Sequence, residues 1–328
     1  MIKLQIAKRR ERPFKYFLFK FVCLLLIIII LDYLIGNILR HFYFKQESGV
    51  EYRTTYSLEK TTDSLLIFGS SRANHHYQPD IFEKRLNLSC YNVGEDGNTI
   101  FNDYADLRCI LKRYSPKIII LDFKEQEFIK DQQSYDELSS LLPYYKTHPE
   151  IRSIIELRSP YERLKLLSSI YPYNSLLLPI AAGNAKFNKK KRGDIKGYVP
   201  LTQTWNGPIE IDTIANKYKI DSRKIKYYES FIQNCIDLKI KLYICCSPYF
   251  IKSSHDEYSI ELGKQIAGKY KIKFFDYSGN SFFLNSDFFA NITHLNDEGA
   301  KIFSNSFIDS IDKTTRICFN TSLKSNIR

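Results

Sequence analysis

The sequence predicts an α/β protein in which a doubly wound parallel sheet carries a helical and loop insertion and follows one N-terminal transmembrane helix. Short apolar runs rich in β-branched residues alternate with segments of helical periodicity, as in sheets covered by helices on both faces. Residues 128–220 interrupt this alternation, and residues 21–31 form an unbroken apolar run near the N-terminus. These three observations set the order of the elements along the chain.

Five runs have the composition of buried strands. They are residues 64–68, 89–93, 117–122, 241–246 and 272–275. Apolar side chains recur at helical spacing in residues 100–114 and again in residues 225–235, where a cap at Asp221 or Ser222 precedes them. We therefore expect parallel strands joined by helices, with the carboxyl ends of the strands facing a cleft.

The apolar run near the N-terminus is predicted to be a membrane anchor. With its flanks it covers residues 16–38, which reaches the roughly 20 residues needed to span a bilayer. Its only charges, Lys20 and Asp32, stand near its ends, where Lys20 can snorkel to headgroups and Asp32 can approach water on the far side. No small-x-small cleavage site follows before Arg40, which favours an uncleaved anchor over a signal peptide.

The charges around this run predict a single-pass topology with the N-terminus in the cytoplasm and the main domain outside. Beyond the run, Arg40 and Lys45 stand against Glu47, whereas the preceding flank has Glu11 as its only acid. The basic residues of that flank are Lys3, Lys8, Arg9, Arg10, Arg12 and Lys15. Half of the net charge of +12 therefore lies on the first 20 residues, and no nucleic-acid partner is expected.

The expected organisation follows from these elements. It comprises a cytoplasmic tail (1–15), the anchor (16–38), a stalk (39–62), the α/β domain (63–311) with its insertion (128–220), and a C-terminal tail (312–328). The insertion is expected to shape the substrate cleft. Its basic stretch is interpreted as a solvated, mobile loop rather than a surface for anions. That stretch comprises Lys186, Lys189, Lys190, Lys191, Arg192 and Lys196.

The cysteines and aromatic residues are interpreted mainly as packing groups. Seven cysteines do not pair evenly, Cys23 lies in the anchor, and Cys245 and Cys246 lie in a predicted strand, so we expect reduced core residues rather than a disulfide scaffold. Several aromatic residues of the insertion could stack on sugar rings, although packing is expected for most in a chain with 24 tyrosines. These are Tyr144, Tyr145, Tyr171, Tyr173 and Trp205.

Two distant segments supply a candidate nucleophile and base. Ser71 lies in a Gly-Ser-Ser-Arg turn directly after the first predicted strand, and His294 lies in a loop before the last helix. The pair suggests acyl transfer. No carboxylate pair at metal-ligand spacing accompanies His75 and His76, which are interpreted as a solvated loop, and the sequence predicts no cofactor and no metal site.

These segments resemble the SGNH/GDSL hydrolase superfamily, including its membrane-anchored members that move acyl groups on cell-surface polymers. The turn at Ser71 matches the first block, and residues 92–97 match the Asn-x-Gly-x-x-Gly of the second. Residues 291–294 match the Asp-x-x-His of the last block except at its first position. The match covers about residues 63–125 and 240–311.

The resemblance implies a flavodoxin-like three-layer sandwich and a set of site roles. Ser71 would be the nucleophile, His294 the base, and the backbone N–H groups of Ser71 and Gly97 the oxyanion donors. The family's asparagine after the third strand is missing, and Gln126 can donate an amide N–H in its place. Asn291 stands where the family has an aspartate.

Asn291 weakens the expected triad. An amide can accept a hydrogen bond from the imidazole but cannot stabilise the imidazolium by charge, and the equivalent change in a serine protease lowers kcat by about 10⁴. A dyad of Ser71 and His294 remains, and Asp287 and Asp297 are alternative partners without the family's spacing.

The sequence thus predicts a membrane-anchored serine esterase or acyltransferase acting on acylated cell-surface or extracellular glycans. One alternative is a catalytically silent protein that binds a glycan or a partner in the same cleft. Another is a lipid esterase.

Overall fold

The protein is described by a computed structural model covering residues 2–185, 193–207, 219–250 and 257–325. Its strands are β1 (Leu65–Phe68), β2 (Cys90–Asn92), β3 (Ile118–Asp122), β4 (Lys241–Cys246) and β5 (Lys273–Asp276). They form one sheet of order β2-β1-β3-β4-β5 in which every neighbouring pair is parallel. The predicted doubly wound parallel sheet is confirmed, with the strand order of flavodoxin-like folds.

Helices connect the strands and flank the sheet. In chain order they are α1 (Ile2–Phe44), α2 (Val50–Glu59), α3 (Ser71–His76), α4 (Pro79–Leu86), α5 (Ile100–Leu111), α6 (Gln133–Asp136), α7 (Arg152–Ile155), α8 (Glu162–Lys165), α9 (Leu177–Asn184), α10 (Ser222–Asp237), α11 (Glu257–Lys269) and α12 (Asp297–Ser325). The two helices predicted from periodicity are present as α5 and α10, and the Asp221 side chain caps α10 by accepting from the backbone N–H of Arg223 at 2.9 Å.

Side chains alternate between the two faces of the sheet and build two cores. On β1, Leu66 and Phe68 join a core shared with α2, α5, α10 and α11, while Leu65 and Ile67 join a second core shared with α3, α4 and α12. All four side chains are buried. This period-two pattern, with both faces apolar, is what a parallel strand covered by helices requires.

The strand order places a topological switch point between β1 and β3. The chain leaves β1 toward β2 on one side, while β3 pairs with β1 on the other. Loops at the carboxyl ends of two such strands diverge and leave a crevice between them, where ligands bind in open α/β sheets. Residues 69–71 follow β1, and residues 123–126 follow β3.

Helix α1 contains a segment that is long and apolar enough to cross a membrane. The most apolar 18-residue window within Pro13–Phe44 has a mean hydropathy of 2.7, and the side chains of this segment are largely exposed. Helix α2 follows after a short loop and packs against α5. Arg113 holds its C-terminal end by donating to the backbone oxygens of Ser57, Leu58 and Thr61 at 2.6 to 3.1 Å.

The insertion joins the core on the side of α1. Tyr144 and Tyr173 are buried, and each ring lies within 6.0 Å of Tyr43 between ring centroids. These two tyrosines have the packing role expected for most of the aromatic set. Within the described chain, Cys90, Cys109, Cys235, Cys245 and Cys246 are buried free thiols, which confirms their interpretation as reduced core residues.

Most of the predicted basic stretch of the insertion, residues 186–192, lies outside the described residues. Lys196 is described, and its Nζ pairs with the carboxylates of Asp80 and Glu83 on α4. This lysine is therefore bound to the domain surface rather than part of a solvated loop.

Candidate active site

Ser71 is the first residue of α3, at the turn that leaves β1. Gly69 in this turn has a φ of +136°, and a Cβ there would stand 2.8 Å from the backbone oxygen of Asp122 on β3. A side chain at this position would be both strained and crowded. The glycine lets the chain turn sharply against β3, and the turn delivers Ser71 to the crevice at the switch point.

His294 reaches Ser71 from the loop before α12. The Ser71 Oγ donates to His294 Nε2 at 2.7 Å across 223 residues of sequence. On the other side of the ring, His294 Nδ1 lies 3.0 Å from Asn291 Oδ1. The three predicted residues are thus together, in the order hydroxyl, imidazole and amide.

The amide of Asn291 is oriented by its own loop. Its Oδ1 accepts from the backbone N–H groups of Thr293 at 3.0 Å and His294 at 2.9 Å. Only the carbonyl oxygen of an amide can accept these bonds, so the same oxygen faces His294 Nδ1. The ring therefore carries its proton on Nδ1 and presents the Nε2 lone pair to Ser71, which is the tautomer that a general base needs.

Burial and, second to it, the neighbouring His75 lower the pKa of His294 to about 4. Asn291 contributes no negative charge that would oppose this shift. The imidazole is consequently neutral at pH 7 and free to accept a proton, but it is a weaker base than an imidazole backed by a carboxylate.

Among the described residues, His294 Nδ1 contacts Asn291 Oδ1 and Thr293 Oγ1 rather than Asp287 or Asp297, the alternative partners. Asp297 Oδ1 accepts from Tyr198 Oη at 2.7 Å and from Gln78 Nε2 at 2.9 Å. The backbone oxygen of Asp287 accepts from Asn296 Nδ2 at 2.7 Å. The group behind the His294 ring is the Asn291 amide.

The end of β2 and the loop after it pack closely on α3, the helix that begins at Ser71. Asn92 Nδ2 donates to the backbone oxygens of Ala73 at 2.7 Å and Tyr77 at 3.1 Å, and so holds the C-terminal half of α3. A Cβ on Gly94 would stand 2.5 Å from the Cβ of Ala73, so only glycine fits there. Gly97, with a φ of +85°, turns the loop toward the cleft.

A cleft of about 510 Å³ opens over Ser71 and His294. All three predicted oxyanion groups, Ser71, Gly97 and Gln126, line it. The first part of the insertion forms a further wall, through Ile129, Asp131, Gln133, Ser134 and Glu137. The Glu137 carboxylate lies against Gly97, because a Cβ on that glycine would be 2.7 Å from Glu137 Oε2.

Arg72 ties the nucleophile turn to the loop after β3. Its Nη2 donates to the backbone oxygen of Phe123 at 2.9 Å, and its Nη1 lies 2.8 Å from Glu125 Oε2. The side chain is 3% exposed and its Nε lies 3.6 Å from Asp122 Oδ2. In the sequence this arginine was only the last residue of the Gly-Ser-Ser-Arg turn. In the structure it connects the two walls of the crevice.

The interpretation of His75 and His76 as a solvated loop is wrong. Both lie on α3 and are buried. His76 Nε2 accepts from the backbone N–H of Leu295 at 3.0 Å, and its Nδ1 donates to Ser247 Oγ at 2.9 Å. Burial holds the pKa of His76 well below its usual value, so this neutral ring fastens the loop of His294 to α3.

His75 stands beside the candidate base. The ring centroids of His75 and His294 are 5.4 Å apart in an edge-on arrangement. His75 Nδ1 donates to the backbone oxygen of Val199 at 2.7 Å, and its Nε2 lies 3.3 Å from Asp96 Oδ1. Contact with His75 is the main reason why the pKa of Asp96 is lowered. Two adjacent histidines on a short amphipathic turn were the available sequence signal for this pair.

Comparisons with known proteins give limited guidance. No family model matches the chain, and no curated protein sequence matches it. Among solved structures, the acetyl xylan esterase AlAXEase is similar with a TM-score of 0.40 and 12% identity, over 75% of this chain and 99% of that protein. A Bacteroides fragilis protein assigned as an acylhydrolase is similar with a TM-score of 0.40 and 13% identity, over 81% and 97%.

Proposed function

We propose that the protein is a serine esterase or acyltransferase of SGNH type, anchored in a membrane and acting on acylated glycans. The observation that carries the proposal is the 2.7 Å hydrogen bond from Ser71 Oγ to His294 Nε2, in a cleft at the switch point of the sheet. A hydroxyl that donates to a neutral imidazole is the arrangement from which a serine nucleophile is activated.

In the first half of the reaction, Ser71 Oγ attacks the ester carbonyl while its proton passes to His294 Nε2. The carbonyl oxygen becomes an oxyanion, for which the backbone N–H groups of Ser71 and Gly97 are the proposed donors, with Gln126 as a third. Collapse of the tetrahedral intermediate breaks the bond to the alcohol, and His294 returns its proton to the leaving oxygen. The acyl group is then an ester of Ser71.

In the second half, water or a second alcohol attacks the acyl-enzyme and gives its proton to His294. The product is an acid in hydrolysis and a new ester in transfer, and Ser71 regains its proton when the intermediate collapses. In each half His294 passes through an imidazolium whose Nδ1–H donates to Asn291 Oδ1. That hydrogen bond orients the ring without neutralising its charge.

The proposed substrate follows from the cleft lining. Ile129 is the one large apolar side chain among the described residues that line it, and the others are mainly amides, hydroxyls and charged groups. Such a wall suits a short acyl group on a hydroxyl-rich alcohol, whereas a long acyl chain needs a continuous apolar surface. This lining favours a glycan ester over the lipid ester alternative.

The proposed location rests on α1 and its flanks. Its apolar segment matches the thickness of a bilayer, and the basic residues before it favour a cytoplasmic N-terminus. The cleft then faces the extracytoplasmic side. A reporter that fluoresces only in the cytoplasm, fused to the C-terminus, is expected to stay dark in cells, and a bright fusion at normal expression contradicts this orientation.

The chemistry is tested with a matched pair of serines. The purified chain is given small acetyl esters and acetylated glycans, and released acetate is measured for the wild type, Ser71→Ala and Ser70→Ala. Both serines line the cleft, but it is Ser71 that contacts His294. We expect Ser71→Ala to abolish turnover and Ser70→Ala to retain it.

The neutral Asn291 favours a second candidate, a silent protein that binds a glycan in the same cleft. It predicts that no acetylated glycan is turned over in a Ser71-dependent manner, and that glycan binding survives Ser71→Ala. Binding isotherms of the wild type and Ser71→Ala with the same glycans separate the two candidates.

A further inference from the structure

The insertion carries an exposed apolar surface that the proposed chemistry does not use. Outside α1, the four most exposed large apolar side chains of the described residues all lie in residues 161–167 and 178. They are Tyr161, Leu164, Leu167 and Leu178, and Leu167 and Leu178 are 75% and 82% exposed. Leu177 beside them is also exposed. A cluster of this kind marks a surface that meets another apolar phase.

This surface is docked against α1 through an acidic residue. Asp32 accepts hydrogen bonds from Ser168 Oγ at 2.5 Å, from the backbone N–H of Ser169 at 2.6 Å and from that of Ile170 at 3.3 Å. One helical turn further on, a Cβ on Gly36 would stand 2.4 Å from the backbone of Ser169, so the two backbones are in close contact. Asp32, which was expected to approach water, is half-exposed and is also bound by the insertion.

The depth of this contact relates the insertion to the bilayer. From Tyr16 to Asp32 an α-helix rises about 24 Å, which is less than the roughly 30 Å of a hydrocarbon core. Asp32 therefore stands near the outer edge of the core. A carboxylate at that depth is costly unless it is paired or hydrogen-bonded. Residues 168–170 supply the donors, and the exposed Leu167 directly precedes them in the chain.

The chemistry around the leucines suits the boundary between headgroups and acyl chains. Glu162 and Leu166 of the same turn are buried in the protein, so the turn has an inner and an outer face. On the outer face Arg163 and Lys165 flank Leu164 and are exposed. Basic side chains that snorkel beside apolar ones, with a tyrosine at the edge, are typical of segments that lie in a membrane interface.

We propose that residues 161–178 form a membrane-contacting segment, which docks on α1 at Asp32 and inserts its leucines into the outer interface of the bilayer beside the anchor. The occupant of this surface is lipid. The proposal rests on the membrane location of α1 that the proposed function includes, and it adds a second contact that fixes how the α/β domain stands on the membrane.

The test measures depth at three sites of the full chain in phospholipid nanodiscs. A single cysteine replaces Leu178, Ile27 or Leu238 in a background that lacks Cys23 and Cys318, and each carries an environment-sensitive fluorophore. Leu238 is the matched control, because it is an exposed leucine, 47% accessible, that precedes β4 at the opposite end of the sheet from the cleft. Quenching is compared between lipids with a nitroxide near the headgroup and lipids with one deep in the acyl chain.

We expect the probe at Ile27 to be quenched most by the deep nitroxide, the probe at Leu178 most by the shallow one, and the probe at Leu238 by neither. If Leu178 behaves like Leu238 while Ile27 is quenched, the membrane-contacting segment is refuted and the anchor stands. If Ile27 is not quenched either, the membrane location itself fails. If the probe at Leu178 is shielded from both nitroxides and copies of Leu178→Cys form disulfide crosslinks with each other, a second copy and not lipid covers the surface. That result also overturns the proposal.

Discussion

Two regions place neighbouring histidines near Ser71, the loop before α12 and helix α3, and they differ in the group behind each ring. His294 meets the neutral amide of Asn291 at 3.0 Å, whereas His75 meets the carboxylate of Asp96 at 3.3 Å. The ring that contacts Ser71 has no charge behind it, and the neighbouring ring has one. The Asp96 carboxylate therefore lies near the candidate base His294 but contacts His75 and not His294.

The difference has an electrostatic consequence. Both nitrogens of His75 face oxygen acceptors, the backbone oxygen of Val199 and the carboxylate of Asp96. Desolvation is the main cause of the low pKa of His294, and the neighbouring His75 is the second cause. The arrangement keeps His294 neutral and raises the free energy of its protonated form. The following predictions test this comparison.

The largest expected effect is a loss of kcat that distinguishes His294 from His75. Replacing His294 with Gln removes the proton acceptor of Ser71, and a general base contributes about 10²–10⁴ to a rate. We expect a loss of that size in kcat for acetyl ester hydrolysis, and only a small loss for His75→Gln, which touches no reacting atom. Equal losses in the two variants, with both proteins folded by circular dichroism, would show that the rings act as one unit.

The second effect concerns the charge behind His294. Asn291→Asp places a carboxylate where the amide oxygen already accepts a hydrogen bond from Nδ1. Charge-assisted hydrogen bonds are about twice as strong as neutral ones. We therefore expect a roughly ten- to hundredfold rise in kcat. The gain is smaller than the 10⁴ known for a serine protease, where the amide also imposes the wrong tautomer. Asn291→Ala is the control and should lower kcat. An unchanged or lower rate in Asn291→Asp would contradict the proposed role of Asn291.

The third effect is a pH profile. His294 accepts a proton only while it is neutral, and its pKa of about 4 means that it becomes protonated as the pH falls through that value. We expect kcat/KM to be level around neutrality and to decline on an acid limb near pH 4, where the wild type must remain folded. In Asn291→Asp the limb should move to higher pH, because the carboxylate stabilises the imidazolium. A wild-type limb near pH 6.5, the usual value for a histidine, would refute the desolvated base.

The smallest effect tests the neighbouring ring. Since His75 lowers the pKa of His294, His75→Gln should shift the acid limb upward by less than Asn291→Asp does. Glutamine keeps a donor for the backbone oxygen of Val199, so the fold should be retained. A downward shift would reverse the sign assigned to His75.

The fold could be predicted because its determinants are local. Each strand is a short apolar run bounded by polar or turn residues, and 64–68 was expected where Leu65–Phe68 is found. The nucleophile turn was predictable for the same reason, since Gly69 and Ser71 stand directly after such a run. The resemblance then indicated His294, 223 residues away.

The histidines of α3 could not be placed in this way. His76 is buried because Ser247 and Leu295 supply its partners, and both lie more than 170 residues away in sequence. The partners of Asp32 could not be predicted either, because its donors Ser168 and Ser169 belong to an insertion with no recognisable pattern. Polar residues buried by distant partners look like surface residues in the sequence alone.

The continuity between α1 and the α/β domain limits how far the cleft can travel. Helix α1 ends at Phe44, and α2 begins at Val50 and packs on α5. The insertion also binds α1 at Asp32, so the described chain has no long flexible linker between α1 and the α/β domain. On the proposed location, the enzyme would scan a thin layer above the lipid and diffuse in two dimensions. Its polymer would be modified while it passes that layer during export or assembly, and material already deposited farther out would be beyond its reach.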